Sequence, residues 1–393
     1  MKPPLSLYLH FPFCARKCSY CDFNSHAPAP GEMDAYLVAL RQEIQRCAPS
    51  AEGRVVQTVY FGGGTPTLYP SEALAGILDL LSSLFRFPLS CQKRGLGGEA
   101  SPAPEVTCEA NPGTVDEASL TTLRAAGFNR LSLGVQSFRA EELRLLGRIH
   151  SGDEARAAVA AARAAGFANL SLDLIAGLPG QTPAAWAENL HAALALRPEH
   201  LSCYGLSIPS GTALAQEVDC GRLTPLDDSV AAALWELTDA ALTAAGYEHY
   251  EISNFAKPGY ESRHNLTYWR NGEYLGLGVS AASYLQGRRW TNLAGVAEYA
   301  ERLAHGQSVE ADSETLGPRE RLGETIMLGL RLAAGVEVAA LRAEFGAAAV
   351  AALEPVAERQ RELGLLEPGA ERWRPTRRGM QLNNQLAAAF LAD

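Results

Sequence analysis

The chain has 393 residues, 47% hydrophobic and 20% charged, with 34 Lys+Arg against 44 Asp+Glu and a net charge of −10. This length and aliphatic content exclude a mainly disordered or fibrous protein, and a prior of roughly 150 residues per domain gives two or three domains, or one barrel with an appendage. The acidic balance disfavours nonspecific binding to nucleic acid or anionic lipid. In chain order, short apolar, β-branched or aromatic runs at 5–11, 55–61, 105–109, 130–135, 169–175 and 200–208 read as strands. Amphipathic stretches near 33–47, 71–86, 116–126, 140–147, 152–165 and 183–196 read as the helices between them. Six strand–helix repeats predict an α/β fold with a parallel sheet, open or curled into a barrel. Ligands of such sheets sit at the carboxyl ends of the strands, where the distinctive residues of this chain also cluster.

Two segments break the rhythm. Residues 88–104 are rich in Gly, Pro and Ser and read as a surface insertion. Beyond Pro209, a helix at 227–245 leads into a Gly- and aromatic-rich stretch at 247–292 with several short strand candidates. Helices at 318–331, 337–344 and 347–363, then a small hairpin around 366–375, read as a helical, winged-helix-like C-terminal domain. The expected division is 1–225, 226–315 and 316–393.

No apolar run reaches the roughly 18 residues that span a bilayer. No small-residue cleavage site precedes the first cysteine, so a cytoplasmic protein without a transmembrane segment is expected. Three of the eight cysteines, Cys14, Cys18 and Cys21, crowd into eight positions. In a reducing compartment such crowding suggests metal or redox chemistry rather than disulfides. Three thiolates on one tight loop suit a [4Fe–4S] cluster with one iron left open. Structural zinc with His10 or His26 as fourth ligand, and a Cys18–Cys21 redox pair, remain alternatives on spacing alone. Cys47, Cys91, Cys108, Cys203 and Cys220 are isolated and read as structural.

The pattern Tyr8-Leu-His10-Phe-Pro12-Phe-Cys14-x3-Cys18-x-Tyr20-Cys21-Asp-Phe23-Asn24-Ser25-His26, with Gly62-Gly63-Gly64-Thr65-Pro66 after the second strand, resembles the radical S-adenosylmethionine (SAM) superfamily. Within it the chain is similar to the branch of oxygen-independent coproporphyrinogen III oxidases and heme chaperones, through nearly its whole length. The resemblance implies a partial (β/α)6 barrel whose three cysteines hold a [4Fe–4S] cluster, with SAM bound to the open iron. It implies that one electron from the cluster cleaves SAM to a 5′-deoxyadenosyl radical, the cofactor carrying the chemistry and the protein positioning it. It also places Tyr8, Tyr20, Gly63, Gly64, Thr65, Glu109, Gln136, Arg148 and Asp173 around SAM. The residues agree with this. Glycines at a strand end let a ligand approach the backbone, and a carboxylate ending an apolar strand is costly unless a ligand meets it.

The oxidases of this branch typically carry a fourth cysteine two positions after the third, where this chain has Phe23, and a longer segment ahead of the barrel, where seven residues precede Tyr8. Both departures favour a heme chaperone that delivers heme to an acceptor hemoprotein of the respiratory chain, with the oxidase as the alternative. The motif His264-Asn265-Leu-Thr-Tyr268-Trp269 is associated with heme in that family. Its imidazole and flat aromatic rings could meet an iron and a macrocycle. A typical member continues with Gly-Ala-His after Gly278, whereas this chain reads Val279-Ser-Ala-Ala-Ser283. Partners implied are heme or another porphyrin, the acceptor hemoprotein and a second copy of the chain in a homodimer, but no nucleic acid.

Overall fold

The computed structural model describes residues 2–88 and 103–391. The proposed insertion, with Cys91, falls almost wholly outside the described residues. Six parallel strands follow one another in the sheet in chain order: β1 (Leu5–Phe11), β2 (Val56–Gly63), β3 (Glu105–Ala110), β4 (Arg130–Gln136), β5 (Leu170–Ala176) and β6 (His200–Gly205). The connecting helices are α1 (Glu32–Cys47), α2 (Ser71–Leu84), α3 (Glu117–Ala126), α4 (Ala140–Leu145), α5 (Gly152–Ala164) and α6 (Pro183–Ala195). Local sequence explains their starts. Asp116 with Ser119, and Ser151 with Glu154, form reciprocal capping boxes, and Thr182 caps α6 just before Pro183 at its first turn.

An order without reversal lacks the switch point of a doubly wound sheet and matches a barrel wall. Flat, at about 4.8 Å per strand, β1 and β6 would stand roughly 24 Å apart. Residues after β1 and residues ending β6 nevertheless line one cavity, so the wall curls. Strand alternation then sorts the side chains. Leu5, Leu7, Leu9 and Phe11 enter the main hydrophobic core, and the intervening Ser6, Tyr8 and His10 face the interior of the curl. The same period in the other strands sends Thr58, Glu105, Glu109, Arg130, Asp173 and His200 inward, so the lumen is polar.

The stretch after Pro209 extends this sheet at both edges. Helices α7 (Ala213–Asp219) and α8 (Asp228–Ala244) lead to β7 (Glu248–Glu251) and β8 (Asn254–Ala256), and β8 pairs antiparallel with β6. A short helix α9 (Arg263–Trp269) precedes β9 (Tyr274–Leu277), which joins β1 in parallel. The antiparallel strands β10 (Ala282–Leu285), β11 (Arg288–Asn292) and, after α10 (Val296–Ala304), β12 (Glu310–Thr315) complete that edge. One hydrophobic core runs from Leu5 to Val309 through both the wall and these extensions.

A second core, from Leu322 to Phe390, belongs to the C-terminal region. That region contains α11 (Pro318–Gly329), β13 (Val336–Glu337), α12 (Val338–Phe345), α13 (Ala347–Ala351), α14 (Glu354–Glu362), β14 (Arg372–Trp373), α15 (Arg377–Gln381) and α16 (Asn383–Ala388). Strands β13 and β14 pair antiparallel, and Leu366 bridges Pro375 where a hairpin was expected. The single helix expected over 347–363 is two. Pro355, with no N–H to donate, opens the second of them instead of continuing the first.

Candidate cluster and cofactor site

The loop carrying the three cysteines leaves the carboxyl end of β1 and is closed at its base. Cys14 N donates to His26 O at 3.0 Å and His26 N to Pro12 O at 3.0 Å. Phe13, fully buried, packs edge-on against the His26 and Tyr36 rings and anchors this base in the core. Farther along, Ser19 N donates to Leu146 O and Ser19 Oγ to Leu145 O, and Leu214 N donates to Ser19 O. The loop is thus tied to the end of α4 and the start of α7. Gly147, at φ +71°, sits against this tie: a side chain there would crowd Ser19 N at 3.1 Å.

All three cysteines line a cavity of about 340 Å³. Thr65 Oγ1 approaches Cys14 Sγ at 3.4 Å and Arg148 Nη1 approaches Cys18 Sγ at 3.4 Å. Burial pushes the Cys21 thiol up, a penalty that an iron would remove by taking the sulfur as thiolate. Among the described residues no three His, Cys, Asp or Glu side chains converge as they would around a single ion. A cubane presents separate irons, so its cysteines need not meet at one point as around tetrahedral zinc. The donor set therefore fits a [4Fe–4S] cluster.

Behind the cysteines lies the turn after β2. Gly64 N donates to Phe11 O at 2.7 Å and Thr65 N to Phe13 O at 2.9 Å, packing the turn against the loop base. A Cβ on Gly64 would lie 2.7 Å from Phe13 O, so only glycine lets the two backbones meet.

Gly63, Gly64, Tyr20, Glu109, Gln136, Arg148 and Asp173 all border the cavity. Glu109 accepts from Tyr60 Oη at 2.7 Å and from Gly63 N at 3.1 Å; burial pushes its carboxyl up to about 7, and the nearby Asp173 adds to the rise. Asp173 is also raised by burial and is held by Ser132 and Ser171 hydroxyls at 3.1–3.3 Å. Arg148 spends its guanidinium on Gly134 O at 2.6 Å, on Asn111 Oδ1 and on Cys18, not on either acid. Two half-buried carboxylates facing an open cavity suit a ligand carrying an ammonium, a sulfonium and ribose hydroxyls, as SAM does. Gln136 adopts φ +65° where the β4–β5 register shifts, a strained conformation of the kind found at ligand sites.

Two of the residues expected around SAM stand one layer back. Tyr8 bonds His10 Nδ1 at 3.1 Å and stacks on Tyr60, while His10 Nε2 lies 2.9 Å from Asn24 O of the cluster loop. Thr65 braces Cys14 and accepts from Asn111 Nδ2 at 2.8 Å. Four residues of this site escaped the sequence reading: Tyr60, Asn111, Ser132 and Tyr204. Asn111 carried a signal, since it stands two positions after Glu109 and so on the same face. Nothing local marks the others.

The His264 motif lies elsewhere. Helix α9 closes the amino end of the barrel, with Glu105 accepting from the N–H groups of Arg263 (3.1 Å) and His264 (3.0 Å). His264 is 1% exposed. Its Nδ1 lies 2.7 Å from Thr58 Oγ1 and its Nε2 lies 2.8 Å from Tyr268 Oη. Burial, then the nearby Arg130, pushes its pKa down to about 3, so the ring is neutral. Asn265 N is capped by Ser262 Oγ, and Arg331 of the C-terminal region covers the Trp269 ring. Of the four residues expected to meet heme, His264 is enclosed with both ring nitrogens engaged, whereas Asn265, Tyr268 and Trp269 are half-buried. The departure after Gly278 has a structural use: Ser280 Oγ accepts from Asn24 Nδ2 at 2.8 Å and helps clamp the cluster loop.

Comparisons with known proteins agree with this geometry. The Radical SAM superfamily matches residues 8–193 and the HemN C-terminal domain matches 316–382. Fold and site together define a radical SAM-type protein. The heme chaperone HemW of Mycobacterium tuberculosis is 40% identical over 343 residues, covering 86% of this chain and 85% of that protein. HemW of Bacillus subtilis is 34% identical over 388 residues, covering 99% of each. HemW of Escherichia coli is 43% identical over 284 residues, covering 71% of this chain and 70% of that protein. The solved structure of the coproporphyrinogen III oxidase HemN from Escherichia coli matches with a TM-score of 0.85 at 26% identity, covering 99% of this chain and 90% of that one. The chain belongs to the HemW family of the radical SAM superfamily. No helix among the described residues is long and apolar enough to cross a membrane.

Proposed function

We propose that this protein is a cytoplasmic heme chaperone that takes up heme and passes it to an acceptor hemoprotein of the respiratory chain. The observation that carries the reading is 34–43% identity to curated heme chaperones over most of the chain. Cys14, Cys18 and Cys21 would hold a [4Fe–4S] cluster, with SAM bound beside it. Glu109, Asp173, Gln136, Arg148, Tyr20, Gly63 and Gly64 surround SAM, with Tyr8 and Thr65 holding the wall behind them. When bound, the cluster and SAM supply one-electron chemistry at the sulfonium. The residues of this chain orient the ligand, neutralise its cationic groups with Glu109 and Asp173, and keep the cluster loop closed.

Titration of the purified, cluster-reconstituted protein with hemin tests the reading, and a saturable Soret change is expected. Absence of binding by the wild type would sink it. The fold match to the coproporphyrinogen III oxidase favours decarboxylation of coproporphyrinogen as the second reading. An anaerobic assay with SAM, reductant and coproporphyrinogen III, run in parallel, separates the two, since robust protoporphyrinogen formation would replace the chaperone by the oxidase.

A further inference from the structure

A row of hydrogen bonds crosses the barrel lumen from its amino end to Asp173. Alternation along β5 puts Ser171 and Asp173 on one face, and His200 stands opposite Ser171 on the neighbouring β6. Ser262 N donates to Tyr250 Oη at 3.2 Å, and Tyr250 Oη lies 2.8 Å from His200 Nε2. His200 Nδ1 lies 2.8 Å from Ser171 Oγ, which donates to Asp173 Oδ1 at 3.3 Å. Ser171 and His200 are fully buried. The two ends of the row fix its direction. A peptide N–H can only donate and a carboxylate can only accept, so each group between them passes one hydrogen toward Asp173. Tyr250 O–H then points at Nε2, Nδ1–H at Ser171 Oγ, and Ser171 O–H at the carboxylate. Burial, then Arg130, pushes the His200 pKa well down, and burial pushes that of Tyr250 well up. The imidazole therefore carries a single proton and the phenol keeps its own. With the imidazole proton on Nε2 instead, Nδ1 would take the Ser171 O–H and Asp173 would lose a donor.

We propose that His200 is a positioning residue for the cofactor cavity. Tyr250 holds its proton on Nδ1, and that tautomer turns the Ser171 hydroxyl onto Asp173, so that the carboxylate stays ionised for a cationic ligand. His200 does not itself border the cavity. The inference rests on the reading that Asp173 faces SAM and adds a residue that acts on it from behind. Ser132 is a second donor to Asp173. The charged and titratable groups around this acid are Arg130 on β4, Glu109 on β3, Tyr60 on β2, and Cys203 and Tyr204 on β6. At the far end of the row, Glu251, Arg130 and Tyr204 act on Tyr250. All of these act on Asp173 or Tyr250 whichever nitrogen of His200 is protonated. The tautomer changes only what Ser171 contributes.

The test is an NMR titration of the cofactor-free full chain with isotope-labelled histidine and aspartate, the signals assigned by His200→Gln and Asp173→Asn. Wild-type His200 should be protonated at Nδ1. Tyr250→Phe keeps the ring and removes the donor to Nε2. His200 should then move its proton to Nε2, and the Asp173 titration should move up by about one pH unit, as expected for one hydrogen bond to a charged group. Ser171→Ala should move Asp173 by a similar amount and leave the proton of His200 on Nδ1. Tyr247→Phe loses a buried hydroxyl contact to Pro198 O, off this row, and should move neither signal. Equilibrium dialysis of SAM against the cluster-reconstituted protein should show the low-pH fall in affinity displaced upward in Tyr250→Phe. Wild-type His200 protonated at Nε2, or an unmoved Asp173 titration in both folded variants, would overturn the proposal. A wild type that binds no SAM at any pH would overturn the SAM reading and leave the link from His200 to Asp173 standing.

Discussion

The two ends of this barrel are built from the same strands and the same alternation, yet they use their polar residues differently. At the amino end, Ser6, Thr58, Glu105 and His264 satisfy one another and helix α9 within the chain. At the carboxyl end, Glu109, Asp173, Gln136 and three thiols face a cavity, and among the described residues neither acid forms an ion pair. A polar lumen alone therefore does not mark a site. What distinguishes the mouth is that its polar groups border an open cavity.

The largest effect expected from breaking the mouth is on the cluster. Replacing Cys14, Cys18 or Cys21 by Ala should abolish the visible absorbance of the reconstituted cluster, while chemical denaturation of the unreconstituted protein changes little. Breaking the floor should do the reverse. His264→Ala leaves Thr58 and Tyr268 without their partner and should lower stability by about 2–4 kcal/mol in urea melts. Hemin stoichiometry should survive, and its loss in a still-folded variant would return the heme role to this histidine.

A smaller change sharpens the contact between the two ends, because Tyr60 stacks on His264 at 4.9 Å and donates to Glu109. Tyr60→Phe keeps the stack and removes only the donor. SAM affinity, read by equilibrium dialysis, should fall by about three- to tenfold, corresponding to roughly 1 kcal/mol for one hydrogen bond. Unchanged affinity would show that Glu109 is held without it.

The effects on pH dependence have opposite signs at the two ends. His264 titrates near 3 in the folded chain against 6.5 ordinarily, so the unfolded state binds more protons between these values. Its contribution to stability is full above about 6.5 and is lost as pH falls toward 3. Glu109 titrates near 7 against 4.5, so the folded state binds more protons. Its contribution falls as pH rises from 4.5 to 7. Glu43 and Glu251, also raised to about 7 by burial, act in the same direction. In cofactor-free melts, Glu109→Gln should flatten part of the slope between pH 4.5 and 7, and His264→Gln part of the acid slope. Equal slopes in wild type and variant would remove that residue from the account.

Six strands, their helices and the cluster loop were legible because each depends on local pattern. An apolar period, a cap or a tight cysteine spacing acts within a few residues of itself. Most of the residues that border the cavity beside the cysteines were legible too, since they stand at strand ends within or just after an apolar run. Helix α9 was not legible as the floor. His264, Tyr268 and Trp269 look like a ligand-binding motif, and a ring's chemistry alone does not say whether its nitrogens face an open site or Thr58 and Tyr268.

From its sequence alone, this protein is a repeated strand–helix chain with three clustered cysteines and a resemblance to one superfamily, because those features are set by neighbours along the chain. Only the tertiary structure decided that strands β7–β12 extend the sheet at both edges, that Tyr60 and Asn111 belong to the site, and that His264 is enclosed while Phe23 and Tyr204 stand in the open. Those outcomes depend on contacts between residues more than two hundred positions apart, such as Thr58 with His264. Burial is a property of the assembled layers, and the chemistry left available to a ligand is whatever that assembly does not already satisfy.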